Sequence, residues 1–201
     1  MAVCCQPKTR QFKFLGFVQI NDTYLALLGT LIEADESSMG DRRVPTENAP
    51  ANSGAPENEV EIRFRSREPR GLLLWTGGRG DHMALALDQG RLLVSYDLGA
   101  RRQELWSESR IDDGRWHTAR LQRQGRLATL VVDGAKPLTS NAAPGATQLN
   151  TDGLLWLGGC PKLPPGLPAA LYLGFVGCIH EATVDGRELA LAGPQCADPI
   201  T

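Results

Sequence analysis

VEIRFRSREPRGLLLWTGGRGDHMALALDQGRL, residues 60–92, is the stretch whose reading decides the fold. Val60, Ile62 and Phe64 alternate with Glu61, Arg63 and Arg65, the period-two pattern of a strand with one buried face. Gly71–Trp75, Met83–Leu87 and Leu92–Tyr96 follow as short apolar runs, and Gln89-Gly90 falls between the last two as a hairpin turn. Working outward, the pattern repeats at Trp116–Leu121, Leu127–Val132, Leu154–Leu157 and Cys178–Val184. The turn dipeptides Asp113-Gly114, Gln124-Gly125, Asp133-Gly134 and Asp185-Gly186 punctuate these runs. No segment sustains a 3.6-residue period, so the expectation is an all-β sandwich or jelly roll of two antiparallel sheets. Toward the N-terminus, residues 14–32 read as an opening strand pair around Asn21-Asp22.

Composition narrows the function classes. The chain has 201 residues, 42% hydrophobic and 22% charged, with a formal net charge of −2. That charge gives no general pull toward nucleic acid or acidic membranes, so any ionic recognition must be local. No run reaches the ~18 apolar residues of a membrane span, and no direct membrane insertion is expected. Residues 1–13 carry Lys8, Arg10 and Lys13 where a signal peptide would be apolar. An export signal is therefore expected on a longer parent chain.

Between Glu33 and Glu59 the composition changes. There is no aromatic residue, and Pro45, Pro50, Pro56, Gly40 and Gly54 are mixed with polar residues, so 33–59 reads as a flexible loop insertion. The expected organisation is an N-terminal extension at 1–10 without order, a domain at 11–197 and a tail at 198–201. The five cysteines (Cys4, Cys5, Cys160, Cys178 and Cys196) form no CxxC pair and no zinc-like grouping with histidine. Asn21-Asp22-Thr23 is a glycosylation acceptor if the chain is secreted.

An enzyme is not expected. His82, His117 and His180 sit in no catalytic pattern, and Gly-x-Ser-x-Gly, Walker-type and HExxH motifs are absent. His117, in DDGRWH (112–117), reads as a packed structural residue, and Trp116 beside it as an aromatic carried into the core.

The ordered series GLLLW (71–75), DHMALALDQGRL (81–92), YDLG (96–99), DDGRWH, VDG (132–134), LNTDGLLWLGG (149–159) and GFVGCI (174–179) resembles the laminin G-like domain. The likeness runs from about residue 11 to 197. It is nearest to the agrin type, through GATQLNTDGLLWLGG and GFVGCI, with the perlecan and pikachurin types further away.

The resemblance implies a secreted matrix module with a C-terminal disulfide between Cys178 and Cys196. It also implies one weak Ca2+ site on a loop rim, held by Asp81, Asn150 and the backbone carbonyls of Leu98 and Gln148. Asp152 is the rival for the second side-chain ligand. A single carboxylate and a neutral amide suit a hard cation at the weak end of the extracellular range, Kd of roughly 10⁻⁴–10⁻³ M. Arg79-Gly80-Asp81 spells the integrin tripeptide, but an Asp81 committed to calcium could not serve an integrin.

The implied partners are a cell-surface receptor of the agrin co-receptor or dystroglycan type and heparin or heparan sulfate. Seven arginines lie between Arg101 and Arg126 among four acids, and Arg120, Arg123 and Arg126 around a hairpin turn are the glycan candidates. In the agrin type, the loop matching 33–59 takes a splice insertion that presents Asn-Glu-Ile to a receptor. This chain has Asn58-Glu59-Val60, which abuts a strand and reads as structural, and no Asn-Glu-Ile. The other reading kept open is a calcium-dependent lectin-like or small-ligand-binding sandwich.

Overall fold

A computed structural model describes residues 54–78, 80–152, 154–189 and 191, together with the backbone of Val3–Cys5, Phe17–Ile20 and Thr23–Leu27. Asn21, Arg79, Cys196 and residues 28–53 lie outside the described residues, and with them the glycosylation site, the integrin arginine and most of the loop insertion.

The expected alternation builds two facing sheets. In the first, β4 (Glu57–Arg65) lies between β13 (Gly177–Val184) and β9 (His117–Gln124). The sheet continues through β10 (Leu127–Val132) to β11 (Leu138–Asn141) on one side, and to β1 (Val3–Cys5) on the other, while β14 (Arg187–Glu188) pairs with β13. All of these pairings are antiparallel.

The second sheet runs β2 (Phe17–Ile20), β3 (Thr23–Leu27), β12 (Leu154–Leu157), β5 (Gly71–Gly78), β6 (Asp81–Asp88), β7 (Arg91–Asp97) and β8 (Gln103–Trp106). Only β3 and β12 pair in parallel there. β2 and β3 are the expected opening hairpin. Gln89, Asp133 and Asp185 adopt positive φ of 52°, 51° and 48°, each followed by a positive-φ glycine. That is the backbone of the tight hairpin turns that the X-Gly dipeptides announced.

Between the sheets, alternate residues meet as one core. Val60, Ile62 and Phe64 of β4, Leu85 and Leu87 of β6 and Ala119 of β9 are 0% exposed, and Leu121 of β9 is nearly so. A second cluster lies on the outside of the second sheet, where Leu171 of a 3-10 turn (Ala169–Tyr172) covers Leu72, Trp75, Ala84, Ala86 and Leu93. Leu72 donates to the Leu173 carbonyl at 2.7 Å and Phe175 to that of Gly158 at 2.9 Å, which fastens this cover in place. Burying several large side chains at ~25 cal/mol per Å² on both faces of one sheet explains why β5 and β6 read as unbroken apolar runs.

Three expectations are corrected. Val3–Cys5, placed in an extension without order, pairs with β13 in a register that sets Cys4 opposite Cys178. Glu57–Glu59, assigned to the loop insertion, already belong to β4, because Arg123 and Asp185 engage them from the strands alongside. Trp116 does not enter the core: His117 takes the inward position at 9% exposure, and Trp116 is half-buried just before β9. Cys178 is disulfide-bonded and 6% exposed, whereas Cys160 is a free thiol that burial pushes above its ordinary pKa.

Candidate binding rim

Asp81 opens β6 with the parity of Met83, Leu85 and Leu87, so strand alternation points its carboxylate inward at the mouth of the sandwich. It is 6% exposed. Its Oδ2 accepts two hydrogen bonds from Asn150, one from the backbone N and one from Nδ2, each 2.8 Å. Its Oδ1 lies beside Gly99, where a Cβ would sit only 3.0 Å away.

Asp97 shapes that neighbouring turn. Its Oδ1 accepts from the Gly99 N–H at 2.9 Å and the Ala100 N–H at 3.0 Å, and Leu98 tucks under at 7% exposure. On the other side, Leu149 exchanges backbone hydrogen bonds of 3.1 and 3.0 Å with Ala55. Gly54 then packs so closely that a Cβ there would meet Asn150 Oδ1 at 2.5 Å and Gln148 Cβ at 2.9 Å. Asp81, the Leu98–Gly99 turn, Gln148–Asn150 and the stem of the long loop therefore converge on one rim.

Asp152 stands apart from this junction. It is exposed, its Oδ1 accepts from the Leu154 N–H at 3.0 Å, and its own N–H donates to the Gly77 carbonyl at 3.2 Å. It caps the turn into β12. Asn150, rather than Asp152, is the side chain brought against Asp81.

Behind Asp81, His82 points to the opposite face of the sheet. It stacks on Trp75 with ring centroids 5.0 Å apart and shares a 3.0 Å hydrogen bond with Ser95. Burial holds its pKa down to about 4, so it packs as a neutral ring.

The glycan candidates separate. Arg123 is 1% exposed, the consequence of a parity it shares with His117, Ala119 and Leu121. Its guanidinium donates to the carbonyls of Ala55 at 2.5 Å, Gly125 at 2.6 Å, Pro56 at 3.2 Å and Thr147 at 3.3 Å, and to Asn58 Oδ1 at 2.5 and 3.0 Å. Such a group has no edge left for a sulfate, so Arg123 leaves the glycan-facing set. It is instead a post that ties Ala55, Pro56 and the start of β4 to the loop preceding Asn150. The alternation of β9 carried the signal for this, and a reading of the arginines as one hairpin cluster overrode it.

Arg120 is exposed but pairs with Glu59 and, at 3.8 Å, with Glu61. Arg126 is half-buried, and its carbonyl accepts from Ala142 N at 2.9 Å. Arg102, Arg110 and Arg115 pair with Glu104, Asp112 and Asp113. Four of the seven arginines of residues 101–126 are thus held in local ion pairs and Arg123 is buried, so they are not gathered into one patch.

Among the described residues, no group of three or more His, Cys, Asp or Glu side chains could hold a metal. Any cation at the rim must rely on one carboxylate plus amide and carbonyl oxygens. That set is chemically suited to a hard ion, as the buried Asp81 carboxylate beside the Asn150 amide illustrates. Two clefts, of about 300 Å³ beside Glu57, Gln122 and Asp185 and about 130 Å³ beside Ser107, Ile111 and Leu138, lie at the margins of the sandwich.

A laminin G domain profile matches residues 64–187. The chain belongs to the laminin G domain family. The mouse basement membrane-specific heparan sulfate proteoglycan core protein is 35% identical over 141 residues, covering 67% of this chain and 4% of the relative. Human neurexin-2 is 32% identical over 168 residues, covering 72% and 10%. Among solved structures, domains LG4-5 of the mouse laminin alpha1 chain superpose with a TM-score of 0.63 at 26% identity, covering 71% of this chain and 38% of that one. The chain thus spans a small part of its curated relatives, from 4% to 13% of their length. Laminin G domains are binding modules and not enzymes, and the basement membrane relatives are matrix proteins. No helix among the described residues is long and apolar enough to cross a membrane.

Proposed function

We propose that this laminin G domain is a receptor- and matrix-binding module of a secreted, agrin-like proteoglycan, and that calcium assists recognition at its loop rim. The observation that carries the reading is the Asp81–Asn150 junction, set against the stem of the 33–53 segment. Bound there, calcium would supply a positive charge with open coordination positions for an acidic or hydroxyl-bearing partner.

Asp81 and Asn150 would give side-chain oxygens, and Leu98 and Gln148 backbone carbonyls. In the geometry described, Asn150 offers Asp81 its Nδ2, so holding an ion requires its amide to turn and present Oδ1. That exchange of one hydrogen bond for a metal contact keeps the expected affinity weak. The partner class is a cell-surface receptor of the agrin co-receptor or dystroglycan type, or a sulfated glycan. The lectin-like alternative with a ligand between the sheets gains no support from an interior packed by Leu85, Leu87, Ile62 and Phe64.

Calorimetric melting with and without millimolar calcium tests the reading. A calcium-dependent rise that Asp81→Ala removes supports it. A melting temperature indifferent to calcium would falsify the metal assignment.

A further inference from the structure

The smaller of the two clefts, about 130 Å³, takes one wall from each sheet. One wall is the segment that leaves β8, from Ser107 to Ile111, and the other is the connection between β10 and β11, from Val132 to Leu138. Ile111 donates its N–H to the Gly90 carbonyl at 2.7 Å, in the turn at the end of β6 opposite Asp81. The cleft and the Asp81 rim therefore lie at opposite ends of the sandwich.

Hydrogen bonds fix both walls. Ser107 Oγ accepts from the Leu92 N–H and donates to the Ser109 carbonyl, each at 2.9 Å, and Arg91 Nε donates to the Ser107 carbonyl at 2.5 Å. Across the cleft, the Asp133 carboxylate accepts from the Thr118 N–H at 2.8 Å and from His117 at 2.7 Å, and Ala135 donates to the Val132 carbonyl at 2.9 Å. A site held this way has little ordering entropy to lose when it is filled.

The floor is apolar and the mouth is charged. Ile111 is 2% exposed in the core, and Val132 and Leu138 are half-buried against it. Glu108 stands on one wall and Lys136 on the other, both exposed. Among the described residues, no ion pair or side-chain hydrogen bond engages either of them.

Size selects the occupant. Small-molecule pockets run to roughly 300–1,000 Å³, whereas a cleft near 130 Å³ holds about one aliphatic side chain. Such an anchor draws its own backbone across the mouth, where the flanking positions meet a cation on one side and an anion on the other. A segment with an acid on one side of the anchor and a base on the other answers both, while a segment of one sign is repelled at one wall. We propose that this cleft docks an extended segment of a protein partner, with a leucine-sized side chain on Ile111, Val132 and Leu138, an acid at Lys136 and a base at Glu108. It is a second contact point, independent of calcium and of the reading of the Asp81 rim.

Titration of the capped peptide Ser-Glu-Leu-Lys-Ser into the isotope-labelled 201-residue chain in EDTA, followed by amide NMR, tests the site. Shifts should move at residues 107–111 and 132–138 and stay still around Asp81, with a Kd of roughly millimolar for so short a probe. Replacing the leucine of the probe by alanine should weaken binding about tenfold or more. Probes with two acids or two bases around the leucine should each lose about fivefold. Lys136→Glu should lose a similar factor for the mixed probe and regain it with the two-base probe. Ala135→Leu, at an exposed position that lines the cleft, should fill it and abolish binding. Melting curves matching the parent establish that both variants are folded.

An absence of shifts at millimolar probe overturns the site, and so do shifts that persist in Ala135→Leu. Equal binding of the alanine probe overturns the anchored segment in favour of ionic attachment alone. None of these outcomes alters the calcium response at the rim, so the two readings fail separately.

Discussion

Asp81 holds Asn150 twice: one carboxylate oxygen receives both the backbone N–H and the side-chain Nδ2 of the same residue at 2.8 Å. The pair closes the mouth of the sandwich. Replacing Asn150 by Asp removes the Nδ2 donor and sets two carboxylates against each other. The expected outcome has opposite signs in the two states. Without calcium the variant melts lower, by the ~1 kcal/mol or more of a lost charge-assisted hydrogen bond. With calcium it binds more tightly than the parent, because two carboxylates now face the ion. Titration calorimetry and paired melting curves check both halves.

Gly54 reads out the closeness of the loop stem. A methyl group there meets Asn150 Oδ1 and Gln148 Cβ below contact distance, and the Asn150 amide cannot move without disturbing its bond to Asp81. Gly54→Ala should therefore reduce the calcium-induced shift in melting temperature while lowering the calcium-free melting point by only a few degrees. Measuring the two quantities separately distinguishes a displaced rim from a damaged fold.

Arg123→Met keeps length and apolar bulk but takes the guanidinium away from the carbonyls of Gly125 and Thr147 and from Asn58 Oδ1, while Ala55 and Pro56 keep the backbone donors Leu149 and Gly125. A buried polar group stripped of its partner costs ~1–3 kcal/mol, and Asn58, Gly125 and Thr147 lose theirs together, although water can reach some of them at the rim. The expected loss is about 3 kcal/mol or more, a fall of roughly 10 °C in melting temperature. By contrast Arg120→Ser, which breaks an exposed pair with Glu59, should change stability by less than about 1 kcal/mol. Equal effects from the two substitutions would contradict the buried-post role.

His117 links two turns, with Nδ1 2.7 Å from Asp133 and Nε2 3.0 Å from Asp113. Burial alone would lower its pKa, but the hydrogen bonds to Asp133 and Asp113 outweigh it and the net direction is upward. A raised pKa means that the stabilisation is fully present below the ordinary histidine value of ~6.5 and is lost as pH climbs through the higher folded value. Melting temperature should thus decline as the pH rises above the ordinary histidine value of ~6.5, and His117→Gln should flatten that decline. The Asp113 partner, lowered by the Arg115 backbone N–H and then by His117, works the other way and loses its contribution only in acid.

Most of the architecture was legible because it rests on period two and on turn chemistry, both local. β5, β6, β7, β10 and β12 fall where alternation and the X-Gly dipeptides put them. β8 and β11 escaped because QELW and LTSN carry too little alternation to stand out, and they owe their strand form to neighbours in the sheet. The convergence of Asp81 with Asn150 followed from resemblance and not from spacing, since 69 residues separate them. Arg123 and Trp116 were both misjudged on residue type. An arginine was placed outside and a tryptophan inside, whereas one step of strand parity reverses the two.

The tether at Ala55 has a consequence for variation along the chain. Its bonds to Leu149 and Arg123 fix the point where residues 28–53 rejoin the sandwich, and β3 fixes the point where they leave. The two anchorage points do not depend on what lies between them. Doubling the intervening length costs only about 0.6 kcal/mol in closure entropy. The sandwich can therefore carry segments of different length and sequence between these two anchors without refolding.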